Sequence, residues 1–424
     1  MADSNTSITQ ENRDSYGWII LGILTIAQLV MSMGAYIWGP LAPVLRDEFN
    51  LSRVQIGTIT SALYFASVVI AIPSGIAVDK LGARIMLIIS LIVMGIPFTI
   101  MALAKGYLFF IVFAAISGLG YGVINQASSK GIMYWFSAKR RATAMGIKQT
   151  GVTLGGAIIA VLLPALTIAY SWRLGVLVVG ILMLAMAFLS FIFYKEHSVL
   201  SSEGVSSNVS AASKKGQKGS LLKVMSNPIL LILCLIAPLM AFGQTGIASF
   251  LMLYLEEDLN FSVGLAGGCL TVAMVAGTVG RIGWGIISDR LFAGDRIIPM
   301  VILSVIAFIG ALGTAFLSKS SPIWLPFFWS ILMGGTFIGW NAVLMTLAAE
   351  LAGTELAGSI MGILITIAWI GIILGPPVFG YIADSSGYYW SWLLIAVLAL
   401  LSAIGFLYIM QLSKKRGNQE VAVG

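Results

Sequence analysis

Apolar residues run through this 424-residue chain in long blocks separated by short polar stretches. Twelve blocks lie near residues 17–43, 54–77, 85–104, 107–130, 142–167, 173–194, 227–254, 263–286, 298–317, 322–349, 357–382 and 388–411. Each is long enough to be one helix crossing a hydrocarbon layer, which takes about 20 residues at about 1.5 Å rise each. The stretch from Lys195 to Asn227 is rich in Ser, Lys and Gly, the composition of a flexible linker, and it divides the blocks six and six. The pattern predicts an all-α membrane protein with twelve transmembrane helices in two pseudo-symmetric six-helix bundles. Its expected parts are a tail over 1–16, a bundle over 17–194, a linker over 195–226, a second bundle over 227–411 and a tail over 412–424. The opening residues are polar, with no basic start and no small-residue cleavage site, so the first block is expected to remain as a span.

Composition narrows the class. The chain is 59% hydrophobic and only 10% charged, where a soluble domain carries about 25% charged residues. A net charge of +7 does not indicate nucleic acid here, because Lys and Arg sit between apolar runs. Arg13, Lys80, Arg84, Lys139, Arg140, Arg141, Lys195, Lys214, Lys215, Lys218, Lys223, Arg290, Arg296, Lys414, Lys415 and Arg416 fall in the segments on one side. Only Arg46, Arg53, Lys105, Arg173 and Lys319 fall on the other. Basic residues favour the cytoplasmic side, so a cell-membrane protein with both termini in the cytoplasm is expected. Cys234 and Cys269 lie inside apolar blocks and read as small core residues, and His197 lies in the polar linker. No metal-ligand cluster, phosphate-binding loop or nucleophile elbow is visible, so no cofactor, no metal, no catalytic residue and no enzymatic activity are expected.

The two halves repeat one another. Asn50, Ser52, Gly57, Gly75 and Asp79 match Asn260, Ser262, Gly267, Gly285 and Asp289 without a gap, and Asn125, Met145, Gly146 and Gly155 match Asn341, Met361, Gly362 and Gly371. Chance likeness of apolar helices does not explain matches that are mostly Gly, Asn and Asp. Repeated halves in a membrane protein imply a transporter whose substrate site lies near the midplane between them.

The segment GIAVDKLGAR, Gly75 to Arg84, resembles the signature of the major facilitator superfamily between spans 2 and 3, and GIISDR repeats its core after span 8. The resemblance covers the chain from span 1 to span 12. It implies a charge cluster that holds the two halves together in one state and yields in the other, built from Gly75, Asp79, Lys80, Arg84, Gly285, Asp289 and Arg290. The glycines are expected at close helix crossings, and Asp79 is expected to face the positive end of a neighbouring helix. KRRATAMGIKQTGVTLGG in span 5 is similar to the matching segment of monocarboxylate transporters and oxalate–formate exchangers, with Gly146, Gly151, Gly155 and Gly156 read as packing residues.

Charges within the apolar blocks carry the chemistry. None of the 17 acidic residues falls inside a hydrocarbon core, whereas Arg281 and Lys148 do. Arg281 stands eight residues before Asp289, about 12 Å along a helix, and Lys148 stands seven residues after Arg141, about 10 Å. Intramembrane charges are costly and usually line a cavity, and a cation without an acidic partner invites an anion. An arginine can grip a carboxylate with two parallel hydrogen bonds. Its bland role would be to brace span 8 by bonding helix carbonyls; for Lys148 the bland role is snorkelling to the surface, and Lys130 is read as a snorkelling end residue.

The position of Arg281, in GRIGWG, resembles the substrate-binding span-8 arginine of monocarboxylate transporters, oxalate exchangers and nitrate/nitrite porters. The span-2 partner arginine of nitrate porters is Ala71 here, and span 11 has no lysine to match oxalate exchangers. One firm cation therefore favours a small organic monoanion. Asn125, Asn341 and Gln244 are further candidate ligands, because an amide in hydrocarbon needs a partner, with Tyr36, Tyr64 and Tyr121 as aromatic candidates. Tyr121 and Asn125 lie i, i+4 on one face of span 4, and Phe337 and Asn341 repeat that spacing in span 10. The expected function is secondary transport of a monocarboxylate or related acid by alternating access, as a proton-coupled symporter working as a monomer in the bilayer. Exchange or facilitation without protons, and export of drugs or lipophiles, are the alternatives. Protons, where co-transported, would travel with the substrate carboxylate or bind at Lys148.

Overall fold

The computed structural model describes residues 10–195, 227–352 and 357–423, and regular structure in them is entirely helical. The linker with His197 and Lys214 to Lys223 lies outside the described residues, as do the first nine residues. Twelve helical spans have the length and hydropathy of a membrane crossing. They are span 1 (Tyr16–Phe49), span 2 (Arg53–Leu81), span 3 (Ala83–Met101), span 4 (Tyr107–Trp135), span 5 (Thr143–Ala169) and span 6 (Trp172–Phe193). Span 7 (Pro228–Glu257), span 8 (Val263–Arg290), span 9 (Ile297–Ala315), span 10 (Trp324–Ala352), span 11 (Ile360–Ser386) and span 12 (Tyr388–Lys414) follow the linker. Without water to satisfy backbone groups, a segment this apolar must bond its own N–H and C=O groups, and the helix does so.

Two spans depart from the apolar pattern, each for a local reason. Span 1 continues through Arg46, Asp47 and Glu48 to Phe49, because apolarity ends where the bilayer does while the helical backbone runs on. It is also broken at Ile37, between the helices Gln10–Tyr36 and Trp38–Phe49. Pro40 accounts for the break: its ring clashes with the carbonyl four residues back, that of Tyr36, and it brings no N–H. Span 10 is built from the helix Trp324–Met333, a π-helical turn Gly334–Ile338 and the helix Asn341–Ala352.

The internal repeat is visible in the backbone. Asn50 and Asn260 both take the left-handed conformation, with φ of 51° and 56°, which asparagine tolerates better than other side chains. Each is followed by a helix-capping serine. Ser52 accepts from the Gln55 N–H at 3.2 Å while the Gln55 side chain accepts from the Ser52 N–H at 2.9 Å, and Ser262 Oγ accepts from the Leu265 N–H at 3.4 Å. Gly155 and Gly371 match in space as well. A Cβ on the first would run into the Leu29 carbonyl of span 1, and one on the second into the Pro238 carbonyl of span 7.

The chain forms two compact units. The first comprises Met1–Ile37, Ala62–Ile159 and Leu166–Ser202; within it span 3 packs against spans 4 and 6. The second comprises Trp38–Ser61, Ala160–Ala165 and Glu203–Gly424. There span 9 packs on span 12, span 7 on span 11, and span 8 on the π turn of span 10, while Trp38–Phe49 packs on span 7. Cys234 and Cys269 are buried free thiols of this unit.

Candidate anion site and gating charges

Lys148 sits in the first unit, on a turn of span 5 that faces span 4, and is only 1% exposed. Its Nζ donates to Ser128 Oγ at 3.1 Å and to Asn125 Oδ1 at 3.3 Å. Ser128 Oγ turns its own proton to the Ile124 carbonyl at 2.6 Å, which leaves its lone pairs for the lysine. The side chain therefore does not snorkel to a surface. It is held by neutral groups, and among the described residues no carboxylate pairs with it. Asn125 thus joins Lys148, as does Ser128, which the sequence reading missed; a hydroxyl four residues from a carbonyl in a helix looks self-satisfied in any sequence. Tyr36, Tyr64 and Tyr121 are also buried in this unit, and the rings of Tyr64 and Tyr121 meet edge to face at 6.1 Å.

Arg281 belongs to the second unit and is half-buried. Its Nε donates to the Ile338 carbonyl at 3.0 Å, and the Trp284 indole N–H, one turn along span 8, donates to the Gly335 carbonyl at 2.9 Å. Both acceptors lie in the π turn of span 10. Arg281 therefore does brace a helix, but through Nε alone; Nη1 and Nη2 have no partner among the described residues. Gln244 is buried on span 7 and its Oε1 accepts from the Trp340 indole at 3.0 Å, so the amide is already half engaged. The π turn overturns the expected likeness of spans 4 and 10. It adds a residue to the helical turn, so Phe337 is fully buried against Gly243 and Asn341 opens the next helix instead of sharing a regular face with it.

The expected gating residues are spread more widely than their motif suggests. Asp79 pairs with Lys130 of span 4 at 2.9 Å and remains 72% exposed; its partner is a lysine and not a helix end, and Lys130 is not merely snorkelling. Arg84 turns to the Phe191 carbonyl and ring of span 6. Asp289 pairs with Arg296, which also holds Glu350 at 3.1 Å. Lys80 and Arg290 are exposed without an ion pair among the described residues. A Cβ on Gly75 or Gly285 would meet nothing within 4 Å, so neither stands at a close crossing in this conformation.

A further charged assembly escaped the sequence reading. Glu257, at the end of span 7, accepts from Arg46 at 2.8 Å, from Arg53 Nε and Nη2 at 3.0 and 2.8 Å, and from the Tyr388 hydroxyl at 2.7 Å. Asp384 of span 11 accepts from the backbone N–H groups of Arg53 and Val54 at 3.1 and 3.0 Å, capping the start of span 2. The Arg53 guanidinium lies 4.6 Å from the centre of the Tyr388 ring. All of these groups belong to the second unit, although Glu257 lies more than two hundred residues from both arginines. The only signal in the sequence was the basic Arg46 and Arg53 on a side otherwise poor in cations.

Comparison with known proteins places this geometry. The family model of the Major Facilitator Superfamily matches residues 24–368. The chain is 24% identical to a hexuronate transporter of Bacillus subtilis, over 86% of this chain and 88% of that protein. It is 24% identical to a probable sulfoacetate transporter of Cupriavidus necator, over 88% of each. Among solved structures, a bacterial homologue of the human lysosomal transporter Spinster superposes with a TM-score of 0.77 over 92% of this chain and 96% of that chain, at 18% identity, a likeness of fold alone. Neither relative belongs by name to the monocarboxylate or oxalate–formate branch that spans 5 and 8 resemble. A family match over most of the chain, joined to twelve spans and repeated halves, makes this protein a member of the major facilitator superfamily and a secondary transporter of that type.

Proposed function

We propose that the protein moves a small organic anion bearing a carboxylate, with Arg281 as the principal ligand and Lys148 as the second cation. The observation that carries this reading is that both side chains lie within spans and neither meets a carboxylate among the described residues. A lone lysine at mid-span costs about 2.5–3.5 kcal/mol on insertion scales. Hydrogen bonds to a charged group return about 1.5–3 kcal/mol each, so Asn125 and Ser128 can hold Lys148 without cancelling its charge. The uncancelled charge attracts an anion. The relatives named for hexuronate and sulfoacetate point to the same class, and a monocarboxylate or sugar acid fits one arginine fork.

In the working cycle the empty cations oppose reorientation and the bound anion relieves that opposition. Both termini face the cytoplasm in this reading, and the monomer is the working unit. Asp79 and Asp289 with their partners, and Gly75, Lys80, Arg84, Gly285 and Arg290, are then the cytoplasmic gating residues, while Glu257 and Asp384 gather charge on the opposite side. A proton symport is one mode. Exchange without protons is favoured by a separate observation: among the described residues the acidic side chains lie at span ends or outside the spans, away from Lys148 and Arg281.

Uptake by proteoliposomes tests the reading, with glucuronate, sulfoacetate, lactate and neutral glucose as probes, with and without an inward proton gradient. Anions should enter and glucose should not, and the Arg281→Lys variant should lose the anions. Uptake of glucose or of organic cations in preference to anions would overturn the assignment. Indifference to the proton gradient would select exchange over symport.

A further inference from the structure

The GRIGWG segment of span 8 holds one more residue with work to do. Arg281 and Trp284 are three apart and so share one helix face, and side chains on a helix lean toward its N-terminus, which lets the indole of Trp284 reach back to Gly335. Gly280 makes the approach possible, since a Cβ there would collide with the Gly335 carbonyl. On the other side of the contact, the π turn has rearranged its own bonds. The N–H groups of Gly339 and Trp340 both turn to the Thr336 carbonyl, at 2.9 Å for Trp340, so Gly335 loses its ordinary helical donor. The Thr336 hydroxyl meanwhile donates to the Leu332 carbonyl at 2.7 Å. The Trp284 N–H fills the place left at Gly335, and a carbonyl left bare in an apolar surrounding would cost about 1–3 kcal/mol.

We propose that Trp284 is a positioning residue for anion binding: by holding the π turn open at Gly335 it keeps the Ile338 carbonyl where Arg281 Nε can reach it, and so aims Nη1 and Nη2 as a fixed two-pronged donor. This rests on the reading of Arg281 as the substrate ligand. With Nε committed to the backbone, the anion is met end-on by the two Nη groups, and a planar carboxylate matches that pair. Loss of the Trp284 bond lets the turn relax toward an ordinary helix and frees Arg281 to rotate. Affinity then falls while the turnover of bound anion is kept.

The test uses full-length protein in nanodiscs and proteoliposomes, with Trp284→Phe, Trp284→His, Arg281→Lys and the parent chain. In ¹⁵N-arginine NMR the parent should show a slowly exchanging Nε–H that is absent from Arg281→Lys and exchanges at least about tenfold faster in Trp284→Phe; an unchanged exchange rate overturns the positioning role without reference to any substrate. In glucuronate and sulfoacetate uptake, Trp284→Phe should raise KM about tenfold for the anion carried, with the maximal rate within about twofold, a shift of ~1.4 kcal/mol. Trp284→His, which restores an N–H donor, should recover part of the loss. A merely structural role would lower the maximal rate and the melting temperature and leave KM alone, and that result also overturns the proposal. Unaltered KM in Arg281→Lys would instead overturn the ligand reading, whatever the NMR shows.

Discussion

The two compact units handle charge in opposite ways. In the first, Lys148 is sealed between regular helices and held by two neutral side chains, and Asp79 makes a single pair with its own carboxylate mostly in solvent. In the second, Arg281 hangs by one bond from an irregular turn, and Glu257 gathers two arginines and a tyrosine. The contrast separates a stored charge from a presented one. Ammonium is a point charge that needs donors satisfied in any direction, so neutral partners suffice to seat it; guanidinium has a fixed fork, so one anchored edge leaves the other edge aimed. A seated ammonium attracts an anion without directing it, whereas an anchored guanidinium directs what it attracts.

The largest effect expected from breaking this contrast is at Arg281. Arg281→Lys keeps the charge and removes the fork, and kcat/KM for carboxylate uptake should fall about 100-fold, or ~2.7 kcal/mol; parent-like uptake would show that charge alone matters in the second unit. Lys148→Met should follow, with about a 10- to 30-fold loss spread over all anions of the panel, because attraction without geometry does not discriminate. Asn125→Asp sharpens the point from the other side. A carboxylate placed within reach of Nζ would compete with the substrate, raising KM about tenfold while raising the melting temperature, since a removed buried charge mismatch stabilises. If KM stays put, Lys148 is not part of the anion path.

Smaller effects are expected at the closures. Glu257→Gln removes the charge that collects Arg46, Arg53 and Tyr388, and cysteine labelling in the opposite vestibules should shift by about fivefold, a coupling of ~1 kcal/mol. Asp79→Asn and Asp289→Asn should shift labelling less, because exposed pairs are worth about 0–1 kcal/mol each. Equal shifts from Glu257→Gln and Asp79→Asn would erase the difference between the units at their charged ends.

Much of this was legible in the chain. Apolar blocks located the twelve spans, and the match of Asn50 and Ser52 with Asn260 and Ser262 has a counterpart in the backbone, in left-handed asparagines and capping serines. The distance of Lys148 from Arg141 placed it within a span, but a long stem that could snorkel left its burial open until the structure closed it at 1% exposure. Other features were hidden. The π turn at Gly334–Ile338 has no proline to mark it, and its glycines look like the small residues of any membrane helix. Lys130 looked like an end residue because its partner Asp79 lies 51 positions away.

The sequence by itself determined the class, the spans, the repeat and the two intramembrane cations, because burial in a bilayer imposes composition and length on each segment separately. Only the tertiary structure decided which donor meets which acceptor: that Lys148 rests on Ser128, that Arg281 is anchored by Nε to Ile338, and that Glu257 gathers Arg46 and Arg53. Those pairings join residues from 20 to 211 positions apart. They depend on angstrom-scale approach between helices, which glycines and one irregular turn control and hydropathy does not encode.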